Sequence, residues 1–176
     1  MHNDIIILGG NTSNNIKWLR QMVNVYKKNY NVFSLFFDNW EDNSMIDFEK
    51  EGKKLRQLCK GKKNYVIIAK SAGAVLAAIE IEKNNITPSI FVVLGLPLKF
   101  TFENRIKIKE ILNNINNRCK ILIIQQKFDP QGSVKEVFDL LGKNIRIKPI
   151  NGNKHTYANF LLIKKEVDLF IESSSL

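Results

Sequence analysis

Cysteine is nearly absent from the 176 residues. Cys59 and Cys119 are too few and too far apart to form a disulfide framework or a zinc ligand set. A reduced, cytoplasmic setting without metal or other cofactor is therefore expected. Long apolar runs are also missing. A helix needs roughly 18 consecutive apolar residues to cross a membrane, and no stretch approaches that, so no membrane partner is expected. Met1-His2-Asn3-Asp4 runs directly into an apolar stretch with no basic segment ahead of it. No signal peptide is expected. Histidine is scarce: His2 lies near the terminus, so imidazole chemistry falls to His155. Acid is short as well, with 17 Asp and Glu against 27 Lys and Arg, a net charge of +10. The basic residues are scattered, and most fall on polar faces or ends of predicted helices, as on a solvated surface. Charge alone leaves nucleic-acid binding open. No zinc-finger spacing, RNP-like aromatic motif or Gly-x-x-Gly clamp supports it.

What is present reads as one globular domain, residues 1–176. The chain is 44% hydrophobic and 25% charged, the balance of an ordinary folded core. Apolar, β-rich runs at 4–8, 32–37, 65–69, 90–94, 120–124 and 145–150 predict six strands. Helical patterns at 16–28, 45–59, 72–83, 104–116, 133–141 and 157–171 follow them in alternation. Strand then helix, six times over, implies right-handed crossovers and a mostly parallel sheet covered on both faces. In such a sheet the ligand sits outside the carboxyl ends of the strands. The loops that follow strands are therefore the ones to search.

The third of these loops is Ala69-Lys70-Ser71-Ala72-Gly73, between a fully apolar strand and a helix of small residues. It reads G-x-S-x-G with Ala in place of the first Gly. Such a turn lifts a serine hydroxyl above the sheet at a helix N-terminus. There the Ala72 amide and the helix dipole can stabilise an oxyanion. Ser71 can equally be a plain helix N-cap. Asp129 follows the fifth strand in Phe128-Asp129-Pro130, where a turn role is the alternative. His155 follows the sixth strand in a Gly/Asn loop. Gly9-Gly10-Asn11 follows the first, and the amides of Asn11 or Thr12 can complete an oxyanion hole, whether or not the loop also caps a helix. Serine acyl transfer needs a nucleophile, a base, a group orienting the base and oxyanion donors, and these loops offer one candidate for each.

In order and spacing these segments resemble the α/β-hydrolase superfamily, and within it small bacterial hydrolases similar to dienelactone hydrolase. Ala69 to Gly73 resembles the nucleophile elbow. Leu94-Gly95-Leu96-Pro97-Leu98 is similar to that group's Gly-Tyr-Pro-Leu segment. Residues 124–132 resemble its acid loop, with Gln125-Gln126 where Gly is usual. Asn153-Lys154-His155-Thr156-Tyr157 is similar to its histidine loop. Gly9-Gly10-Asn11 occupies the place of its His-Gly oxyanion loop. The resemblance implies a minimal, lidless hydrolase fold with Ser71, Asp129 and His155 as the catalytic residues. It implies a small ester or thioester as substrate. Trp40, Leu96, Leu98 and Phe100 are the candidate walls of an open pocket, although each also suits plain packing. Lys70 is read either as a contact for acidic substrates or as a solvated, helix-flanking lysine.

Two other readings stay open. A hydrolase fold that has lost its chemistry could serve as an interaction or nucleic-acid-binding protein through its basic surface. Alternatively, Asn11-Thr12-Ser13-Asn14-Asn15 is similar to the hydroxyl-rich phosphate loop of flavodoxin-like proteins. The sequence offers no oligomeric state.

Overall fold

The computed structural model describes residues 4–174, and His2 lies outside them. Six strands are present: β1 (Asp4–Leu8), β2 (Asn31–Leu35), β3 (Val66–Lys70), β4 (Ile90–Leu94), β5 (Lys120–Gln126) and β6 (Arg146–Ile150). The helices are α1 (Asn15–Tyr26), α2 (Asn39–Asp42), α3 (Phe48–Cys59), α4 (Ala72–Glu82), α5 (Leu98–Glu103), α6 (Ile108–Ile115), α7 (Val134–Leu141) and α8 (Phe160–Ser174). One sheet takes all six strands in the order β2-β1-β3-β4-β5-β6. Every neighbouring pair is parallel, so the sheet is wholly rather than mostly parallel.

Strand composition matches strand position. β3 (VIIAK) and β4 (IFVVL) are buried along their whole length, as central strands covered on both faces must be. β2 and β6 are only partly buried and form the edges. Pro149 is tolerated in β6 because that strand has a free edge. The chain steps from β1 outward to β2, then reverses and builds the sheet from β3 to β6. Right-handed crossovers in opposite directions put helices on opposite faces. On one side α1 packs against α8; on the other α4 lies between α3 and α6, with α7 beside α6. α4 is apolar almost all round, as the central helix of its layer should be.

Element boundaries shift for local reasons. α3 starts at Phe48 rather than residue 45 because the Asp47 carboxylate caps it, accepting from the amides of Glu49 and Lys50 at 3.0 Å. β2 stops at Leu35, where its partner β1 ends. β5 runs on to Gln126 because β6 supplies partners that far. The expected helix over 104–116 begins only at Ile108. Residues 98–103 form their own short helix, and Arg105 breaks the path at φ 54°. Lys70 is the last residue of β3, not part of the turn.

Candidate active site

The order of connection reverses between β1 and β3, and the loops leaving these two strands both border one cavity. Ser71 stands at its edge, between the end of β3 and the first turn of α4, at φ 53° and ψ −125°. A non-glycine residue there is strained by about 1–3 kcal/mol. Its surroundings hold it: the Ser71 amide donates to Leu94 O at 3.1 Å, and Ser71 O accepts from Ala74 N at 2.9 Å. The residue types around the turn are required. A Cβ on Gly73 would lie 2.2 Å from Gly9 O, so α4 can approach β1 only with glycine at that position. A Cβ on Gly10 would lie 3.2 Å from the Ser71 Cβ, so the loop after β1 runs directly beside the serine.

The structure brings Ser71, His155 and Asp129 together. Ser71 Oγ is 2.9 Å from His155 Nε2. His155 Nδ1 is 2.8 Å from both Asp129 oxygens. Asp129 is buried and Ser71 and His155 are partly buried. These contacts span 84 and 26 residues of sequence, so only the sheet can assemble them. His155 and Tyr157 both have positive φ, 53° and 51°. The loop that carries them is braced at both ends, by Lys154 N donating to Gln126 Oε1 at 3.1 Å and Trp18 Nε1 donating to Tyr157 O at 3.0 Å.

Tyr157 is a site residue that sequence reasoning missed. Its buried hydroxyl donates to Asp129 Oδ2 at 2.7 Å and accepts from the Gln126 amide at 3.0 Å. Burial and the Asp129 charge push the phenol far above its ordinary pKa, so it stays a donor. Gln131 N donates to Asp129 Oδ1 at 2.9 Å. The carboxylate is therefore held from three sides. Gln125 and Gln126, the departure from the usual glycine, are buried and build this support. Gln125 Oε1 accepts from Leu96 N at 2.8 Å, and its Nε2 donates to Gly132 O. The only available signal for Tyr157 was its place two residues after His155.

A cavity of about 480 Å³ opens beside Ser71. Gly10, Asn11, Thr12 and Ala72 border it, so the three proposed oxyanion residues lie around the serine. The Ala72 amide is the first of α4 and has no acceptor within its helix. Asn11 is fixed from outside: its Oδ1 accepts from Ile46 N at 2.9 Å, and its backbone oxygen accepts from Asn39 Nδ2 at 2.6 Å.

Of the four expected pocket walls only Phe100 lines this cavity. Trp40 is 5% exposed and supports the loop after β1 from beneath; its Nε1 donates to Gly10 O at 3.0 Å. Leu96 is 1% exposed, its amide tied to Gln125. Leu98 packs where a Gly132 Cβ would sit, 2.8 Å from Leu98 Cγ, and faces a separate groove. All three follow strand ends, which is why the open side is expected for them; instead α2 carries Trp40 under the loop after β1, the Gln125 side chain ties down Leu96, and α5 starts at Leu98, which faces the other groove. The opposite wall comes from α1, with Asn14, Asn15, Lys17, Trp18 and Gln21. Lys70 also corrects its reading as a solvated lysine. It is 8% exposed, lines the cavity and donates to Asn15 Oδ1 at 2.9 Å.

No protein-family model matches the sequence, and no curated protein does. Solved structures do match. A protein of the alpha/beta hydrolase superfamily from Xanthomonas campestris pv. campestris superposes with TM-score 0.71 at 12% identity, covering 98% of this chain and 99% of its own. A lipase-esterase related protein from Clostridium acetobutylicum gives 0.70 at 13% identity, over 96% and 94%. The type II thioesterase BorB of the borrelidin biosynthetic cluster gives 0.62 at 12%, over 98% and 92%.

The chain has the α/β-hydrolase fold.

Its first five strands also follow the flavodoxin-like order. The sixth, which leads into the His155 loop, goes beyond it. The loop after β1 spends its polar groups internally: Asn11 on Ile46 and Asn39, Ser13 on Asn43 at 2.9 Å, and Asn15 on Thr12 and Lys70. Among the described residues there is no group of three or more His, Cys, Asp or Glu side chains that could hold a metal, and no helix long and apolar enough to cross a membrane.

Proposed function

We propose that the protein is a cytoplasmic serine hydrolase, carboxylesterase-like, that cleaves a small ester or thioester through an acyl-enzyme. Its two free, buried thiols suit a reducing compartment. One observation carries the proposal: His155 bridges Ser71 Oγ at 2.9 Å and Asp129 at 2.8 Å, at the mouth of a cavity. A helix cap would not need that bridge.

In this reading His155 Nε2 takes the Ser71 proton as Oγ attacks the carbonyl carbon. Asp129 holds the Nδ1–H tautomer and stabilises the imidazolium, and Tyr157 and Gln131 hold Asp129. The amides of Ala72 and of Asn11 or Thr12 receive the oxyanion, each worth about 3 kcal/mol in the transition state. Collapse expels the alcohol or thiol, which His155 protonates. Water, deprotonated by the same imidazole, then releases the acid and frees Ser71. The motif order shared with dienelactone-hydrolase-like proteins supports a small acyl group, as does a cavity without a lid.

The test is labelling by a fluorophosphonate probe, run beside Ser71→Ala and His155→Ala. Labelling of the folded wild type that both substitutions abolish is the expected result. A folded wild type that does not label overturns the proposal.

A further inference from the structure

Four charged side chains are buried among the described residues: Glu51, Lys70, Glu80 and Asp129. Three of them meet a basic partner. Glu51 pairs with Lys54 at 3.1 Å, Glu80 with Arg56 at 2.7 Å and Asp129 with His155 at 2.8 Å. Lys70 has no carboxylate within ion-pair distance among the described residues. Its ammonium meets the neutral Asn15 Oδ1 at 2.9 Å and lies 5.3 Å from the centre of the Trp18 ring. Burying an unpaired charge is expensive, so a chain that keeps one needs a compensating partner.

The missing partner has a place. Lys70 lines the cavity beside Ser71, and so do Asn15 and Trp18, its two neighbours. Lys17 and Lys154 border the same space, and no described Asp or Glu does. Asn15 is not free to turn away: its Nδ2 donates to Thr12 O at 2.8 Å and Thr12 Oγ1 at 3.3 Å, which aims Oδ1 at Lys70. An ammonium has three donors, and this amide takes one. α1 begins at this wall with no acidic residue in its first turn, so its dipole adds to the positive field. Burial pulls Lys70 down to about 8, against the opposing pull of Asp129, so it stays mostly charged at pH 7, and a bound anion would raise it again.

We propose that this cavity takes an anionic substrate, whose carboxylate group lies near the scissile carbonyl and is bound by Lys70. As a statement about substrate it rests on the hydrolase reading; as a statement about anion binding it does not. The acyl part or the leaving group can carry the charge, and the test separates them.

At pH 7, kcat/KM is measured for three esters. Mono-4-nitrophenyl glutarate carries a carboxylate on the acyl side. 4-Nitrophenyl valerate is its neutral counterpart. The valerate ester of 4-hydroxybenzoate carries the carboxylate on the leaving group. The preference of wild type for one charged ester over the neutral one should fall at least tenfold in Lys70→Met and in Lys70→Gln. If the neutral ester is cleaved and neither preference changes, the anion proposal is overturned and the hydrolase reading stands. The binding arm uses Ser71→Ala, alone and combined with Lys70→Met, titrated by calorimetry with the glutarate and the hydroxybenzoate esters. Binding of one of them at least tenfold weaker in the double variant supports the proposal even if no ester is cleaved; equal binding of both overturns it. Absence of both cleavage and fluorophosphonate labelling counts against the hydrolase reading alone.

Discussion

Gly73→Ala sets two opposing effects against each other. Alanine is the better helix former by at most about 1 kcal/mol, so helix propensity alone makes this substitution stabilising. The new Cβ would lie 2.2 Å from Gly9 O and 3.0 Å from the Leu8 Cβ. That is roughly 1 Å inside ordinary contact, and the nearest atom is a carbonyl of the loop leaving β1, not the end of a flexible side chain. Overpacking of this kind costs about 1–3 kcal/mol, and a rigid backbone partner puts it at the upper end. The steric effect therefore wins, and net stability should fall by about 2 kcal/mol. Relief means moving α4 away from β1 by a sizeable fraction of an ångström, which separates Ser71 from the loop of Asn11 and Thr12. A 1 Å misplacement of reacting groups costs about 100-fold in rate. Urea unfolding gives the first number and the rate of fluorophosphonate labelling the second. A Gly73→Ala protein more stable than wild type would refute the close-approach argument, whatever its activity.

Three further outcomes are expected. Asp129→Asn keeps the shape of the site but favours the wrong imidazole tautomer, so labelling of Ser71 should slow by about 10³–10⁴-fold. Tyr157→Phe keeps the ring and removes a hydrogen bond to a buried carboxylate while orphaning the Gln126 amide. Urea unfolding should show a loss of about 2–6 kcal/mol, since each of the two defects costs about 1–3 kcal/mol. Lys70, with its folded value lowered from 10.5 to about 8, should make stability rise with pH between those values, because there the unfolded chain binds more protons. The penalty it imposes near neutral pH is on the order of 3 kcal/mol. The stability difference between wild type and Lys70→Met should therefore shrink when unfolding is compared at pH 7 and pH 10.

The sequence was most readable where local chemistry and global position agree. Fully apolar runs such as Ile90-Phe91-Val92-Val93-Leu94 mark central parallel strands, because only a strand covered on both faces can afford no polar residue. Alternation of such runs with helices leaves little freedom of fold, since right-handed crossovers dictate the layering. Loops at strand ends then narrowed Ser71, Asp129 and His155 to one edge of the sheet. Trp40, Leu96 and Leu98 were misplaced because a loop residue's direction is not a property of the loop. The one-turn helix α2 turns Trp40 under Gly9 and Gly10, and a distant amide, Gln125, ties down Leu96.

The amino-acid sequence by itself determined the six strands and the six longer helices that alternate with them, though not the short α2 and α5, and with them the strained turn around Ser71 and the order in which three chemically suited residues follow strands. Those are short-range matters of periodicity, small residues and turn chemistry. Tertiary structure alone decided that Ser71, His155 and Asp129 meet, that Tyr157 holds the carboxylate, and that Lys70 is buried beside the cavity without an acidic partner among the described residues. The contacts that settle these points reach across 84 residues from Ser71 to His155, 28 from Asp129 to Tyr157 and 55 from Asn15 to Lys70. Hydrogen-bond direction and burial depend on what the sheet brings alongside, and no local pattern encodes that.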